Sequence, residues 1–162
     1  MSPAIASGYA PGLLGWCVAE HGNYYAAEWG FGPYFETKVA AEMADFVRRL
    51  DDPGNHIFRA EDGHGFLATV SLDGGDAEDG LAHLRWFIAC DRARGRGVGH
   101  ALLQETCATA RRDGAKGIFL WTFAGLDAAR KLYERAGFSL VREVEDNTWG
   151  TPVREQRFEL RF

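Results

Sequence analysis

Residues 81–100 have the sequence LAHLRWFIACDRARGRGVGH, and this stretch decides the fold that we expect. Residues 81–89 are predicted to form a strand, and the glycine-rich run 94–100 follows it and opens a helix whose apolar stripe begins at Val98. A loop at the start of a helix presents free N–H groups and the positive end of the helix dipole to an anion. Its glycines let phosphate oxygens approach the backbone. We therefore predict that this loop binds a pyrophosphate.

Two other nucleotide-binding motifs fit the loop poorly. A P-loop requires Lys and then Ser or Thr after its last glycine, whereas Gly99 is followed by His100 and Ala101. A Rossmann fingerprint requires Gly-x-Gly-x-x-Gly in an early βαβ unit, whereas Gly95, Gly97 and Gly99 alternate with single residues after predicted antiparallel strands. A glycine-rich turn without a ligand remains the alternative.

The remaining patterns predict one mixed α/β domain that covers residues 1–162, without repeats or a linker. Asp-Gly and Gly-Gly turns favour an antiparallel meander of three strands, with a turn at 73–80. In chain order we expect a strand at 14–18, a short helix at 24–29, a helix at 35–50, strands at 56–61, 65–72 and 81–89, a helix at 98–110, a strand at 118–122, a helix at 126–136, and strands at 138–145 and 153–160.

Composition and charge restrict the classes of partner. The chain has a formal net charge of -5, and its basic residues are scattered or lie next to acids, so we expect no nucleic-acid partner. No stretch approaches the roughly 18 apolar residues of a membrane span, and the start of the sequence does not resemble an export signal. We therefore expect neither export nor membrane insertion.

The cysteines and histidines predict no metal site and no disulfide framework. Cys17, Cys90 and Cys107 are odd in number, widely spaced and in no Cys-x-x-Cys pair. The five histidines show no metal-ligand spacing either. Reduced thiols indicate a cytoplasmic protein, and a homodimer is one possibility that the sequence leaves open.

Two motifs resemble those of a known family. The pattern Arg94-x-x-Gly97-x-Gly99 looks like the acetyl-CoA loop of the GNAT acetyltransferases. The sequence AARKLYERAGF at 128–138 is similar to the second signature of that family, Ala-x-x-Leu-Tyr-x-x-x-Gly-Phe, and supplies Tyr133. One position departs from the pattern: many members have Asn seven residues before the tyrosine, whereas this chain has Leu126, next to Asp127.

The resemblance extends over nearly the whole chain. Five further segments look like a GNAT subgroup that is fused behind MarR-type helix-turn-helix regulators. No helix-turn-helix pattern precedes the domain in this sequence, so we do not expect DNA binding. These segments are His21-Gly22, Glu28-Trp29-Gly30-Phe31, Leu84-Arg85-Trp86-Phe87, Leu120-Trp121-Thr122 and Trp149-Gly150.

The resemblance implies a GNAT-like central mixed sheet of about seven strands flanked by about four helices, with acetyl-CoA as co-substrate and no metal. An N–H group of strand 87–89 would face the thioester carbonyl, and Tyr133 would protonate the departing thiolate as general acid. A tyrosine that only packs in the core is the alternative for Tyr133. The implied cofactor-binding residues are Phe87, Ile88, Ala89, Arg94, Gly95, Arg96, Gly97, Val98, Gly99 and His100.

The predicted acceptor is a primary amine, most simply a small one, with a peptide amine as the weaker candidate. Aromatic faces and a carboxylate suit a cationic amine, and Tyr25, Glu28, Trp29 and Trp149 are the predicted substrate-binding residues. Glu28 is also a candidate base, with transfer through water as its competitor. The alternative to an N-acetyltransferase is a regulatory or sensing module that binds acetyl-CoA with little turnover.

Overall fold

A mixed β-sheet with helices on both faces forms the protein. The computed structural model describes residues 3–162, and within them the sheet has seven strands and is accompanied by four α-helices and a short 3-10 turn at Asp91–Ala93. The strands are β1 (Ala4–Ser7), β2 (His56–Asp62), β3 (Gly65–Glu78), β4 (Leu81–Ala89), β5 (Gly117–Phe123), β6 (Ser139–Asp146) and β7 (Val153–Arg161), and the helices are α1 (Leu13–Trp29), α2 (Pro33–Arg48), α3 (Val98–Arg112) and α4 (Asp127–Arg135).

The strands are arranged in the order β1-β2-β3-β4-β5-β7-β6. All neighbouring pairs among them are antiparallel except β4 and β5, which are parallel and joined through α3. Parallel neighbours need a long crossover, which a helix commonly supplies. The predicted mixed α/β fold and the three-stranded meander are therefore confirmed.

Two apolar layers cover the two faces of the sheet. Alternation along β2 sends Phe58 into one layer, with Leu102 of α3, and Ile57 into the other, with Phe46 of α2. Successive side chains of a strand point to opposite faces, so adjacent residues join different layers. The helices α1 and α2 lie over one face, and α3 lies over the other with Tyr133 of α4.

The predicted strand at 14–18 is wrong, because these residues belong to α1. The fully buried positions there are Leu13 and Cys17, four residues apart, and His21 continues the stripe with a further step of four. That spacing is helical. The short helix expected at 24–29 is the end of the same helix, and the sheet reaches seven strands through β1, a four-residue edge strand that the sequence analysis did not predict.

The expected turn at 73–80 is also wrong in extent. Strand β3 continues to Glu78, and only Asp79 and Gly80, both with positive φ, form the turn to β4. Gly74 is needed for a close contact instead, since a Cβ there would lie 2.8 Å from the carbonyl oxygen of Gly54. The side chain of Asp73 is buried and bonded to arginines, which stabilises this part of the strand.

Candidate active site

The parallel strands β4 and β5 separate after a short paired region. Pairing between them runs from Leu81 with Gly117 to His83 with Phe119. Beyond that point residues 84–89 of β4 and 120–123 of β5 line a cavity of about 910 Å³ instead of bonding to each other. The opening leaves backbone groups of both strands facing a space large enough for an extended ligand.

A β-bulge in β4 lies at this opening. Thr69 pairs with Ile88 and Ser71 pairs with Arg85, so two residues of β4 stand opposite one residue of β3. Trp86, within the bulge, has φ of 49°, an uncommon conformation for a residue with a side chain. Bulges re-aim side chains and free backbone groups from the ladder. Of the predicted residues 87–89, Phe87 is the second residue of the bulge and Ile88 and Ala89 follow it, and all three lie in the cavity lining.

The glycine-rich loop supplies the N-terminus of α3. Gly97 is the N-cap residue with φ of 70°, and Gly95 has the same φ. A Cβ at either glycine would have no protein atom within 4 Å, so the space above the loop is open. The N–H groups of the first helical turn have no acceptor within the helix. Gly99, at the second helical position, also lines the cavity.

The basic residues of the loop have different surroundings. Arg96 bonds to Asp62 at 2.9 Å, and Arg92 bonds to the other oxygen of that carboxylate at 2.9 Å. The Arg96 and Arg92 guanidinium groups help to hold the pKa of Asp62 well below its usual range. Arg94 is 83% exposed and pairs with the exposed Asp91, and an ion pair of that kind is easily exchanged for a ligand. His100 is exposed on the first turn of α3.

Tyr133 lies on the buried face of α4 and reaches the cavity lining. Its ring centroid is 6.3 Å from that of Phe87 on β4 and 5.8 Å from that of Phe138. Burial raises the pKa of the Tyr133 hydroxyl above its ordinary value, because the charged phenolate loses its hydration. The hydroxyl therefore carries its proton at neutral pH.

Aromatic side chains line the end of the cavity beside α1 and α2. The ring of Tyr25 lies 4.8 Å from that of Phe35, and Trp149, in the β6–β7 connection, lies 5.6 Å from Phe35 and 6.0 Å from Phe123. Burial raises the pKa of Tyr25, so this hydroxyl is also neutral. The structure thus brings Tyr25 and Trp149, two of the predicted substrate-binding residues, to one end of the cavity.

The other two predicted substrate-binding residues are placed differently. The ring centroid of Trp29 lies 5.7 Å from that of Phe123, and a Cβ at Gly125 would lie 3.1 Å from the Trp29 ring. Trp29 therefore packs against Phe123 and Gly125, which line the cavity, and is not itself among the lining residues. Glu28 is exposed on α1 and is not among the residues that line the cavity.

Ionic side chains that the sequence analysis did not single out lie at the aromatic end. Lys38 and Glu42 are one helical turn apart on α2 and form an ion pair. Glu42 also bonds to Arg85 of β4 at 3.1 Å, and the Lys38 ammonium lies 5.3 Å from the ring centroid of Trp149. In the sequence, only the four-residue spacing of Lys38 and Glu42 pointed to this ion pair. Such pairs are common on helix surfaces, so the spacing did not indicate a functional site.

Glu155 is the buried carboxylate of this end of the cavity. It is 8% exposed and lies on β7 directly opposite Phe123 of β5. Burial raises the pKa of Glu155, and the charge of Asp146 acts in the same direction. The side chains of Trp149 and Thr148 and the charge of Lys38 oppose that rise.

Comparison with known proteins agrees with this geometry. The model of the acetyltransferase (GNAT) family matches residues 17–138, which is most of the chain. The chain belongs to the GNAT acetyltransferase family. The sequence-based prediction of the family is thereby confirmed, and the match includes both the loop of α3 and the motif around Tyr133.

The names of two similar proteins mention different acetylated molecules. The chain is 26% identical to an N-acetylaspartate synthetase of Danio rerio over 144 residues, which are 86% of this chain and 51% of that protein. It thus spans about half the length of this curated relative. The ribosomal-protein-alanine N-acetyltransferase of Brucella melitensis has a similar structure, with a TM-score of 0.77, 16% identity and coverage of 98% and 99% of the two chains.

A further similar structure was determined with the cofactor. This protein of Salmonella typhimurium, whose structure includes its cofactor acetyl-CoA, superposes with a TM-score of 0.71 at 16% identity. The superposition covers 98% of this chain and 94% of that one. At these identities the likeness concerns the fold, and it confirms the GNAT architecture of the sheet.

His21, a neutral histidine of α1, is one of the residues that line the cavity. His21 is 6% exposed, and its Nδ1 lies 2.7 Å from the carbonyl oxygen of Cys17, so Nδ1 must be the donor. Burial lowers the pKa of His21 to about 4. The ring is therefore neutral at pH 7 and carries its lone pair on Nε2.

Residues 3–162 contain neither a metal-binding cluster nor a membrane-spanning helix. Within that range no group of three or more His, Cys, Asp or Glu side chains is arranged to hold a metal ion. In the same part of the chain, no helix is both long and apolar enough to cross a membrane.

Proposed function

We propose that this protein transfers an acetyl group from acetyl-CoA to a primary amine. The observation that carries the proposal is the cavity between the separated strands β4 and β5. The free N–H groups of the α3 N-terminus lie towards one end of it, and aromatic and carboxylate side chains line the other. The two ends suit two chemically different substrates, a phosphorylated cofactor and a cationic amine.

The loop fits the pyrophosphate of the cofactor. Gly95 and Gly97 leave open space above the backbone, and Arg94 is exposed beside them. We propose that the residues from Arg94 to His100 hold the phosphates, and that Arg96 contributes mainly by fixing the loop to Asp62. The backbone of residues 87–89, which lies beyond the paired region of β4 and β5, would pair with the pantetheine arm.

In direct transfer the acetyl carbon exchanges its bond to sulfur for a bond to the amine nitrogen, the nitrogen loses one proton, which water can take, and the sulfur gains one. A free N–H group of residues 87–89 would stabilise negative charge on the carbonyl oxygen while the neutral amine attacks. Tyr133 would then give its proton to the departing sulfur, and its buried, protonated hydroxyl suits that role. Leu126 cannot make the polar contact that Asn makes in many GNAT proteins, but Asp127 beside it lines the cavity.

Several finer predictions from the sequence remain proposals. They are the preference for a small amine over a peptide amine, the contribution of Glu28 to acceptor binding, a cytoplasmic location, a homodimer, and the likeness to the subgroup fused to MarR-type regulators. Aspartate and the alanine of a ribosomal protein, which the names of two relatives mention, are further acceptors to include in any screen.

The proposal is tested by measuring release of free CoA thiol from acetyl-CoA with and without amines. Tyr133→Phe keeps the ring and its packing but removes the proton, so we expect turnover to fall by roughly 10²-fold or more with cofactor affinity nearly unchanged. Tyr9→Phe is the matched control, because Tyr9 is an exposed tyrosine ahead of α1 and outside the cavity.

Two results would contradict the proposal. Equal turnover in Tyr133→Phe and in the parent would show that water or another group protonates the sulfur. Tight binding of acetyl-CoA without amine-dependent release of CoA by any acceptor would instead identify a sensing module.

A further inference from the structure

The carboxylate of Glu155 is buried at the aromatic end of the cavity and forms no ion pair within residues 3–162, although the side chains of Trp149 and Thr148 and the charge of Lys38 favour its charged form. Among the ion pairs of residues 3–162, Lys38 is paired with Glu42 and Arg154 with exposed residues of β6, and none includes Glu155. A buried charge that lacks a partner is costly. Glu155 nevertheless lies in the lining of a cavity, where a cationic ligand can reach it.

The neighbouring acids of the cavity are already compensated or solvated. Glu42 is shared between Lys38 and Arg85, so its charge is neutralised by the protein itself. Asp127 is exposed at the start of α4, where the helix dipole favours a negative charge. One buried carboxylate is therefore available, and it matches a ligand with one positive charge.

The walls around Glu155 are aromatic. Trp149, Phe35 and Tyr25 form a continuous series of ring contacts, with centroid separations of 5.6 Å and 4.8 Å. Phe123, opposite Glu155 in the sheet, contacts both Trp149 and Tyr25. Such faces stabilise a cation and pack against an apolar body, but they offer few hydrogen bonds to a polar one.

We propose that Glu155, Tyr25, Phe35 and Trp149 form the acceptor subsite, and that it takes a primary amine with a single positive charge and an apolar body. Glu155 binds the ammonium group, and the rings enclose the rest of the molecule. This assignment rests on the proposed acetyl transfer and specifies its acceptor. It disfavours aspartate, whose two carboxylates would face Glu155 and Glu42.

The test measures binding without turnover. Phenylethylamine, a cation at pH 7, and its uncharged counterpart 2-phenylethanol are titrated by calorimetry into protein saturated with CoA, which carries no acetyl group to transfer. We expect the parent to bind the amine roughly tenfold or more tightly than the alcohol, as a charge-assisted hydrogen bond allows. Glu155→Gln should lose that preference, and Glu155→Asp, which keeps the charge, should retain part of it.

Two controls separate charge at the subsite from charge elsewhere. Glu145→Gln removes a carboxylate from the same β-hairpin, but Glu145 is 78% exposed and bonded to Arg154, so the preference should stay at the parent's value. Unchanged affinity for CoA in each variant shows that the fold is retained. Glu28→Gln tests the sequence-based alternative, and a loss of preference there but not in Glu155→Gln would overturn the assignment.

Other outcomes also decide the question. A parent that does not prefer the amine to the alcohol, or that binds aspartate more tightly than phenylethylamine, would refute the assignment. If CoA does not bind, the proposed transfer fails, whereas the preference for the amine is still measured on the protein alone. If CoA binds and amines release it from acetyl-CoA, but Glu155→Gln keeps the parent's preference, only the subsite is wrong.

Discussion

Burial acts in opposite directions on the two titratable side chains His21 and Tyr133. It disfavours the charged form of each, so it lowers the pKa of the imidazole and raises that of the phenol. Both are consequently neutral at pH 7, but Tyr133 holds a proton to give, whereas His21 presents an unprotonated Nε2. The cavity therefore contains a proton donor without carrying a charge at either residue.

The neutral state of His21 predicts a loss of stability in mild acid. Its pKa is about 4 in the folded protein and about 6.5 in the unfolded chain, so the unfolded state binds more protons between these values. The stabilisation is therefore complete above pH 6.5 and is lost as the pH falls towards 4. We expect His21 to reduce the free energy of unfolding by roughly 2 kcal/mol between pH 7 and pH 5.

Urea denaturation of the parent and of His21→Asn at pH 7 and pH 5 measures this effect. The amide of Asn can replace Nδ1 as donor to Cys17 but does not titrate, so the variant should lose less stability on acidification. His64→Asn is the control, since His64 is exposed and should leave the parent's pH dependence intact. The same decrease in all three proteins would show that His21 is not held neutral by burial.

Single residues of the site differ in how far sequence could identify them. Tyr133 was predicted because it sits in a motif, and the structure places it in the cavity lining. Glu28 was chosen for its aromatic neighbours, but its position on α1 turns it to solvent. Glu155 gave no signal, because its burial comes from the pairing of β7 with β5 and from the packing of Trp149, which are contacts between distant parts of the chain.

At the scale of an element, the start of α3 predicts a specific effect of glycine. Gly97 at the N-terminal end and Gly114 after the C-terminal end both have positive φ, and a Cβ at either would meet no protein atom within 4 Å. Gly97→Ala and Gly114→Ala should therefore cost similar stability, on the order of 1 kcal/mol each, through backbone strain. Only Gly97→Ala should weaken acetyl-CoA binding, because its methyl group would enter the phosphate site.

Thermal unfolding and calorimetric titration with acetyl-CoA separate the two effects. If Gly97→Ala and Gly114→Ala bind acetyl-CoA equally well, the loop does not hold the phosphates. If both lose affinity equally, a general loss of stability explains the change and the loop is not specifically involved.

Elements were predictable where a short-range pattern and the final packing agree. The apolar stripe of α2 and the turn chemistry of the β2–β4 meander are local, and both appear in the structure. Helix α1 was partly mistaken for a strand because Leu14, Trp16 and Val18 alternate, although the residues that α1 buries there are Leu13 and Cys17. Residues 13–18 fit both the two-residue period of a strand and the four-residue spacing of a helix. Which of these residues become buried depends on tertiary packing, which the local sequence does not contain.

At the scale of the whole molecule, the separation of β4 from β5 divides the sheet into two parts. Among the described residues, only residues 81–83 of β4 pair with β5. One part of the sheet consists of β1–β4 and the other of β5, β7 and β6, and this short paired region is where the backbone hydrogen bonds between the two parts lie. Beyond His83 the two groups face each other across the cavity. A ligand that fills this gap contacts both groups and should make them behave as one unit.

Acetyl-CoA should therefore stabilise the molecule and protect the walls of the gap in particular. A ligand that binds only the folded state at 100 times its Kd adds about 2.7 kcal/mol to the free energy of unfolding. Hydrogen exchange followed by mass spectrometry should show slower exchange in residues 84–89 and 97–100, where we place the ligand. Residues 56–62 of β2, which lie two strands from the gap, should change only as far as global stability requires. Protection that is uniform over the sheet, or concentrated in β6 and β7 instead, would place the cofactor outside the opening between β4 and β5.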